Sequence, residues 1–200
     1  MIAEYIRLNI PVKDEEFDKI YPVQLQKLSG RHFTKVAVAI KAARFLATQP
    51  NQKILDIGCG PGKFCFIAGS YNNASYTGVD YRKHFIELCT KLSHKHHFKN
   101  VNFIHADIKE IDFCYYNGFY FFNSFQEHID KSAQLDDTIE TSIEKFNDYT
   151  AYLKKEWGKL PAGTRIATYH AYLNQVPSSY KLIDMHFDGL LKCWEKVTDR

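Results

Sequence analysis

The stretch Lys53-Ile-Leu-Asp-Ile-Gly-Cys-Gly-Pro-Gly-Lys-Phe64 constrains the fold more than any other part of this chain. Ile54, Leu55 and Ile57 form an apolar run suited to a central parallel strand covered on both faces. Gly58, Gly60 and Gly62 follow at its carboxyl end, where backbone without Cβ atoms can approach a ligand. A buried strand emptying into a glycine turn that opens a helix predicts an α/β chain with a nucleotide-like ligand.

Spacing narrows the ligand. A Walker loop needs a glycine five positions before Gly62 and a hydroxyl residue after the lysine, and here Ile57 and Phe64 stand in those places. The dinucleotide fingerprint needs its third glycine where Lys63 stands, so the pattern is Gly-x-Gly-x-Gly instead. Asp56, two residues before Gly58, would repel a pyrophosphate and attract an ammonium. The ligand is expected to be cationic near this point.

Further acids extend the site. Ser75 to Asp80 reads as a second strand, and Asp80 lies 22 residues after Gly58, where an acid hydrogen-bonds ribose hydroxyls in nucleotide folds. Tyr81 can flank an adenine ring. Val101 to Asp107 reads as a third strand, and Asp107 can meet an exocyclic adenine amine. For each acid the competing reading is a cap on the next helix.

With these residues in place, the chain resembles the class I S-adenosylmethionine-dependent methyltransferases, whose first motif is an acid, x and Gly-x-Gly-x-Gly. The resemblance implies S-adenosylmethionine as cofactor, with Asp56 and the glycine turn on its methionine moiety, Asp80 on its ribose, and Asp107 with Ile108 at its adenine. It implies a Rossmann-like, doubly wound α/β sheet of seven strands, mostly parallel with an antiparallel C-terminal pair. It also implies that Phe33 and Thr34 fold over the cofactor as a lid; the competing reading is a helix cap with Phe33 as a hydrophobic staple.

The loop after the fourth strand, Phe122 to His128, is expected to carry the chemistry, because ligands in open α/β sheets bind at strand carboxyl ends. Asn123 can accept a hydrogen bond from an attacking amine, Phe125 can lie against a cation or planar substrate, and Glu127 or His128 can take a proton. The loop is similar to the Asp/Asn-Pro-Pro-Tyr/Phe motif of amino-group methyltransferases, one residue shorter and without proline. It is also similar to the Asn-containing loop of non-SET histone-lysine methyltransferases. Together with His32-Phe33-Thr34 and Gly62-Lys63-Phe64, Asn123-Ser124-Phe125 most resembles a group of small bacterial methyltransferases with no assigned acceptor, in which proline commonly replaces Ser124. The competing reading makes Asn123 a helix cap with Phe125 packed beneath it.

The remaining patterns fit one domain over 1–200, with a helical segment and candidate lid over 1–50 and the cofactor-binding core over 51–200. Phe33, Val36, Ile40, Ala43 and Ala47 give a helical spacing before Pro50. Phe85, Leu88, Cys89 and Leu92 give another, and a long amphipathic helix is expected from Leu135 to Trp157. Gly118 to Phe122, Thr164 to Tyr172, Lys181 to Phe187 and Leu190 to Val197 read as strands, the last two as an antiparallel pair around Asp188-Gly189. The aromatic cluster Phe113, Tyr115, Tyr116 and Phe119 to Phe122 is expected to be core.

Five scattered cysteines without Cys-x-x-Cys indicate neither a disulfide framework nor a zinc site, and His94, His96 and His97 read as surface residues, so no metal is expected. No apolar run reaches the ~18 residues of a membrane span, which predicts a cytoplasmic chain with no membrane partner. A net charge of +3 permits nucleic acid without indicating it. Three functions compete: methyl transfer to an unidentified acceptor, with an amino group of a protein or small molecule as the leading class and RNA also open; a nicotinamide-dependent oxidoreductase; and a noncatalytic S-adenosylmethionine-binding module. Oligomeric state has no signal in the sequence.

Overall fold

The computed structural model describes residues 2–197. Seven strands form one sheet: β1 (Lys53–Ile57), β2 (Ser75–Asp80), β3 (Val101–His105), β4 (Gly118–Phe121), β5 (Arg165–Tyr169), β6 (Tyr180–His186) and β7 (Leu191–Lys196). Their order is β3-β2-β1-β4-β5-β7-β6. The first five run parallel, and β7 inserts antiparallel between β5 and β6. This is the doubly wound sheet with an antiparallel C-terminal pair that the sequence predicts.

Alternation along β1 explains its central place. Ile54 packs into a core on one face, while Leu55 and Ile57 pack into a second core on the other. β4 behaves the same way: Tyr120 joins the first core and Phe119 and Phe121 the second, all but sealed from solvent. Phe113 and Tyr116 are buried too, so the aromatic cluster is core as expected, whereas Tyr115 is exposed.

Helices α1 (Ile2–Arg7), α2 (Asp14–Phe17), α3 (Val23–His32), α4 (Val36–Leu46), α5 (Lys63–Tyr71), α6 (Lys83–His96) and α7 (Ile143–Lys159) complete the fold. The first core takes residues from α1, α4, α5 and α6, and the second is closed by Leu153 and Trp157 of α7. Sequence spacing found α4 but not the three helices before it, which are short and lack a long apolar stripe.

The long helix expected from Leu135 begins only at Ile143. Two local hydrogen-bonding groups explain the shift. Asp136 accepts from the N–H and hydroxyl of Thr138, a turn that competes with helix, and Ser142 caps α7 by accepting from the Lys145 N–H (3.2 Å). Leu135 and Ile139 keep a helical spacing without a helix.

Lys63, which sits where a phosphate-binding loop carries its lysine, is instead a buried tie. Its Nζ lies 2.8 Å from Asp14 Oδ1, 2.7 Å from Asp18 Oδ1 and 3.1 Å from Ser29 Oγ. The same Asp14 oxygen accepts from the Val36 N–H at the start of α4. One ammonium thus fastens the N-terminal helices to α5. Lys63→Met should cost about 3 kcal/mol in urea unfolding, because it leaves the buried Asp18 carboxylate without its cation; a change below about 1 kcal/mol would show that the cluster contributes little net stability.

Candidate functional site

A cavity of about 580 Å³ opens at the carboxyl ends of β1, β2 and β4. The chain leaves β1 toward β2 and β3 on one side and returns to β4 on the other, so the cavity lies at the switch point of the sheet. Phe33, Thr34, Asp56, Gly58, Gly60, Asp80, Tyr81, Asp107, Ile108, Asn123, Phe125 and Glu127 all line it. Of the sequence-predicted site residues, Gly62 alone does not.

Protein packing alone requires two of the glycines. Gly58 has φ +69°, and a Cβ there would fall 2.5 Å from Ser124 Cβ and Oγ. Gly62 has φ +78°, and its Cβ would meet Phe103 at 2.8 Å and Cys89 Sγ at 2.9 Å. At both positions protein, not ligand, occupies the space, and left-handed backbone adds a second demand for glycine. Ser124 seals the contact by donating to the Ile57 carbonyl (2.7 Å).

The three strand-end acids differ in how far they are satisfied. Asp56 is 3% exposed, and its described polar partner is the Cys65 thiol, which donates to Oδ2 at 3.4 Å. Burial therefore pushes its carboxyl up to about 8. A buried carboxyl on a cavity wall with one weak donor is suited to a cationic ligand group.

Asp80 is held by backbone: Gly60 N–H donates to Oδ2 and Arg82 N–H to Oδ1, both at 2.9 Å. Each oxygen keeps a lone pair for a hydroxyl donor. Burial raises its carboxyl, opposed by these donors and by Arg82. Asp107 caps the following 3-10 turn by accepting from the Lys109 N–H (2.9 Å), and also accepts from the Tyr149 hydroxyl (2.6 Å). The capping reading thus applies to Asp107 even though it lines the cavity.

The N-terminal pair Phe33 and Thr34 also lines the cavity. Thr34 shares a 2.9 Å hydrogen bond with the Tyr120 hydroxyl, and the Tyr120 ring stacks on Phe64 at 3.8 Å. Phe33 is buried edge-on against Tyr21.

Asn123 sits at φ +39°, in the left-handed region that asparagine tolerates better than most residues. Its side chain makes no cap hydrogen bond. Instead its Nδ2 donates to Gln126 Oε1 (3.3 Å), and its Oδ1 accepts from Gln175 Nε2 (3.4 Å). Gln175 is 2% exposed and is itself held by the Tyr172 N–H. Phe125 packs between Phe121 and Tyr149, and His128 stacks on the same Tyr149.

Sequence reasoning missed Arg82. It is buried and gathers Glu127 (2.6 Å), Asp136 (3.1 Å) and Asp80 (3.8 Å). Glu127, expected to take a proton, has its carboxylate against this guanidinium on the Asp80 side of the cavity, and burial raises it to about 7 despite the pairing. Through Asp136 the arginine also fastens the segment 134–142, whose Leu135, Thr138 and Ile139 line the cavity. An arginine two residues past a strand-end acid carries no recognisable signal; only its partners make it part of the site.

Among the described residues no group of three or more metal-ligating side chains converges, and no helix is long and apolar enough to cross a membrane.

None of the curated proteins compared matches the sequence. The fold has several likenesses among solved structures. TrmN from Thermus thermophilus gives a TM-score of 0.60 at 16% identity, covering 86% of this chain and 52% of that one, so the chain spans about half its length. An RNA methyltransferase from Salinibacter ruber, solved with S-adenosyl-L-homocysteine, gives 0.55 at 14% identity over 82% of this chain and 92% of that one. The [4+2]-cyclase SpnF gives 0.54 at 11% identity over 82% and 63%. At these identities the likeness concerns the fold alone. A methyltransferase-domain family matches residues 48–155, more than half of the chain. With that match, the 3-2-1-4-5-7-6 sheet and a cavity whose buried acid suits a cation, the chain belongs to the class I S-adenosylmethionine-dependent methyltransferases.

Proposed function

We propose that this chain methylates an amino nitrogen, and that Asn123 holds the accepting amine. The cofactor supplies an activated methyl group on a sulfonium. Family membership decides against the nicotinamide reading. In our assignment Asp56 takes the cofactor's ammonium, Asp80 its ribose hydroxyls, and Asp107 with Ile108 its adenine edge. Phe125 and Tyr81 form walls of that adenosyl end. Thr34 and Phe33 close the opposite side.

The observation that carries the acceptor reading is the fixed carboxamide of Asn123. Gln175 and Gln126 engage its two ends, so the Oδ1 orientation is set before a substrate arrives, and one Oδ1 lone pair remains to accept from an amine N–H. Holding one N–H leaves the nitrogen lone pair free to attack. The amine forms the new C–N bond as the C–S bond breaks with its electron pair on sulfur, and one amine proton leaves to solvent. Positioning supplies much of the acceleration in such a displacement. We assign Glu127 to shaping the Asp80 end through Arg82, and no proton transfer to it is required.

Asn123→Ala should lower turnover about 100-fold while changing S-adenosylhomocysteine affinity less than about twofold, read by steady-state kinetics and calorimetry. Unchanged turnover would give Asn123 a structural role only and favour the noncatalytic module. Supplying radiolabelled S-adenosylmethionine to protein, RNA and small-molecule fractions, then locating the label on nitrogen, tests the reaction itself; label on oxygen or carbon would overturn the amino reading.

Asp56 makes the cofactor site pH-dependent. In the free protein its carboxyl stays largely protonated below about 8, whereas a bound ammonium favours the carboxylate. S-adenosylmethionine affinity should therefore rise from pH 6 to 8, by up to about tenfold per pH unit, and Asp56→Asn should bind weakly with a flatter profile. Stability should respond oppositely. Because the folded value is raised above the unfolded one, the native state holds an extra proton between about 4 and 8, and stability falls as pH rises through that window. Asp56→Asn should accordingly gain more in melting temperature at pH 8.5 than at pH 5; an equal gain at both would refute the buried-carboxyl account.

A further inference from the structure

Tyr149 does more at the cavity wall than its place beside the second core requires. It stands on α7 four residues before Leu153 and eight before Trp157, the two buried side chains that seat the helix, so one helical face carries all three. It lines the cavity together with Tyr81, Asp107, Ile108 and Phe125. Its ring stacks with Phe125 at 5.0 Å and 25° and with His128 at 5.6 Å and 12°, and the Lys109 ammonium lies 4.9 Å from its centre. Those contacts hold the ring without any help from the hydroxyl.

The hydroxyl donates to a single atom 42 residues away, Asp107 Oδ2, at 2.6 Å. The local cap at Asp107 is complete without it. Oδ1 accepts from the Lys109 N–H (2.9 Å), and the Asp107 N–H donates to Glu110 Oε2 (3.1 Å). A cap of this kind holds the backbone and one carboxylate oxygen, whereas the torsion that turns a carboxylate is broad, so Oδ2 takes its direction from α7. With both oxygens engaged, each keeps a lone pair whose direction is set before a ligand arrives.

A ring amine reaching Asp107 donates to such a lone pair. A ring carbonyl in the same place sets its own lone pairs against a carboxylate and is repelled. We propose that Tyr149 is a positioning residue for the cofactor's base: by holding Asp107 Oδ2 it aims the carboxylate at the exocyclic amine of adenine and turns away a purine that carries a carbonyl there. The inference rests on the assignment of Asp107 to the adenine edge, and adds the α7 residue that makes that edge selective.

The test titrates the full chain by calorimetry with S-adenosylhomocysteine and with S-inosylhomocysteine, which carries an oxygen in place of the adenine amine. The unaltered chain should favour the adenosyl form about 30-fold. Tyr149→Phe, which keeps the ring and its stacking, should narrow that preference to about fivefold or less, mostly through weaker adenosyl binding. Asp107→Asn should bring the ratio to about one, and adding Tyr149→Phe to that variant should move it less than about twofold, because the tyrosine then has no carboxylate to direct. A merely structural Tyr149 would weaken both ligands together; an unchanged ratio in Tyr149→Phe, or an equal effect of Tyr149→Phe with and without Asp107, would overturn the proposal. Equal binding of the two ligands by the unaltered chain would overturn it by removing the adenine assignment of Asp107. Failure of S-adenosylhomocysteine itself to bind would instead remove the cofactor reading beneath both.

Discussion

The turn between β1 and α5 is the constraint from which the rest of the site is built. Gly58, Gly60 and Gly62 all take positive φ, and a side chain at the first or last would collide with Ser124 or with Phe103 and Cys89. The turn brings the Gly60 N–H onto Asp80 and so sets the geometry between the ends of β1 and β2. It also starts α5 at Lys63, whose ammonium draws in Asp14 and Asp18 from the N-terminal helices. The end of β2 and the N-terminal helices are thus both tied to this one turn.

A second buried cation organises the other side. Arg82 joins the end of β2 to the loop after β4 and to the segment 134–142. Buried ion clusters of this kind are costly to assemble, and their retention makes sense where they place several loops at one time. Asp56 contrasts with both clusters. Its carboxyl has no described cationic partner, is raised to about 8, and destabilises the folded chain above the usual carboxylate range. Such an unpaired acid on the cavity wall suits a cationic ligand group.

Much of this was legible in the sequence, and the failures have identifiable causes. β1, the glycine turn and the acids at 56, 80 and 107 were read from an apolar run and fixed spacing, which are local properties of the chain. The early start assigned to the last helix failed because Leu135 and Ile139 have helical spacing while Asp136 spends its carboxylate on Thr138 and Arg82. The helical segment expected over 1–50 was not divided into α1 to α3, because short helices gain their stability from tertiary packing more than from pattern. Arg82 escaped notice because nothing in the sequence beside a strand end marks the carboxylates, Glu127 among them, that will face its guanidinium.

By itself, the sequence determined the sheet type and the place of the glycine turn, because strand periodicity and turn chemistry act over a few neighbouring residues. Only the tertiary structure decided that Lys63 and Arg82 are internal ties and that Gln175 engages Asn123. Those arrangements join residues dozens of positions apart, and what a charged side chain does depends on which charges the fold places beside it.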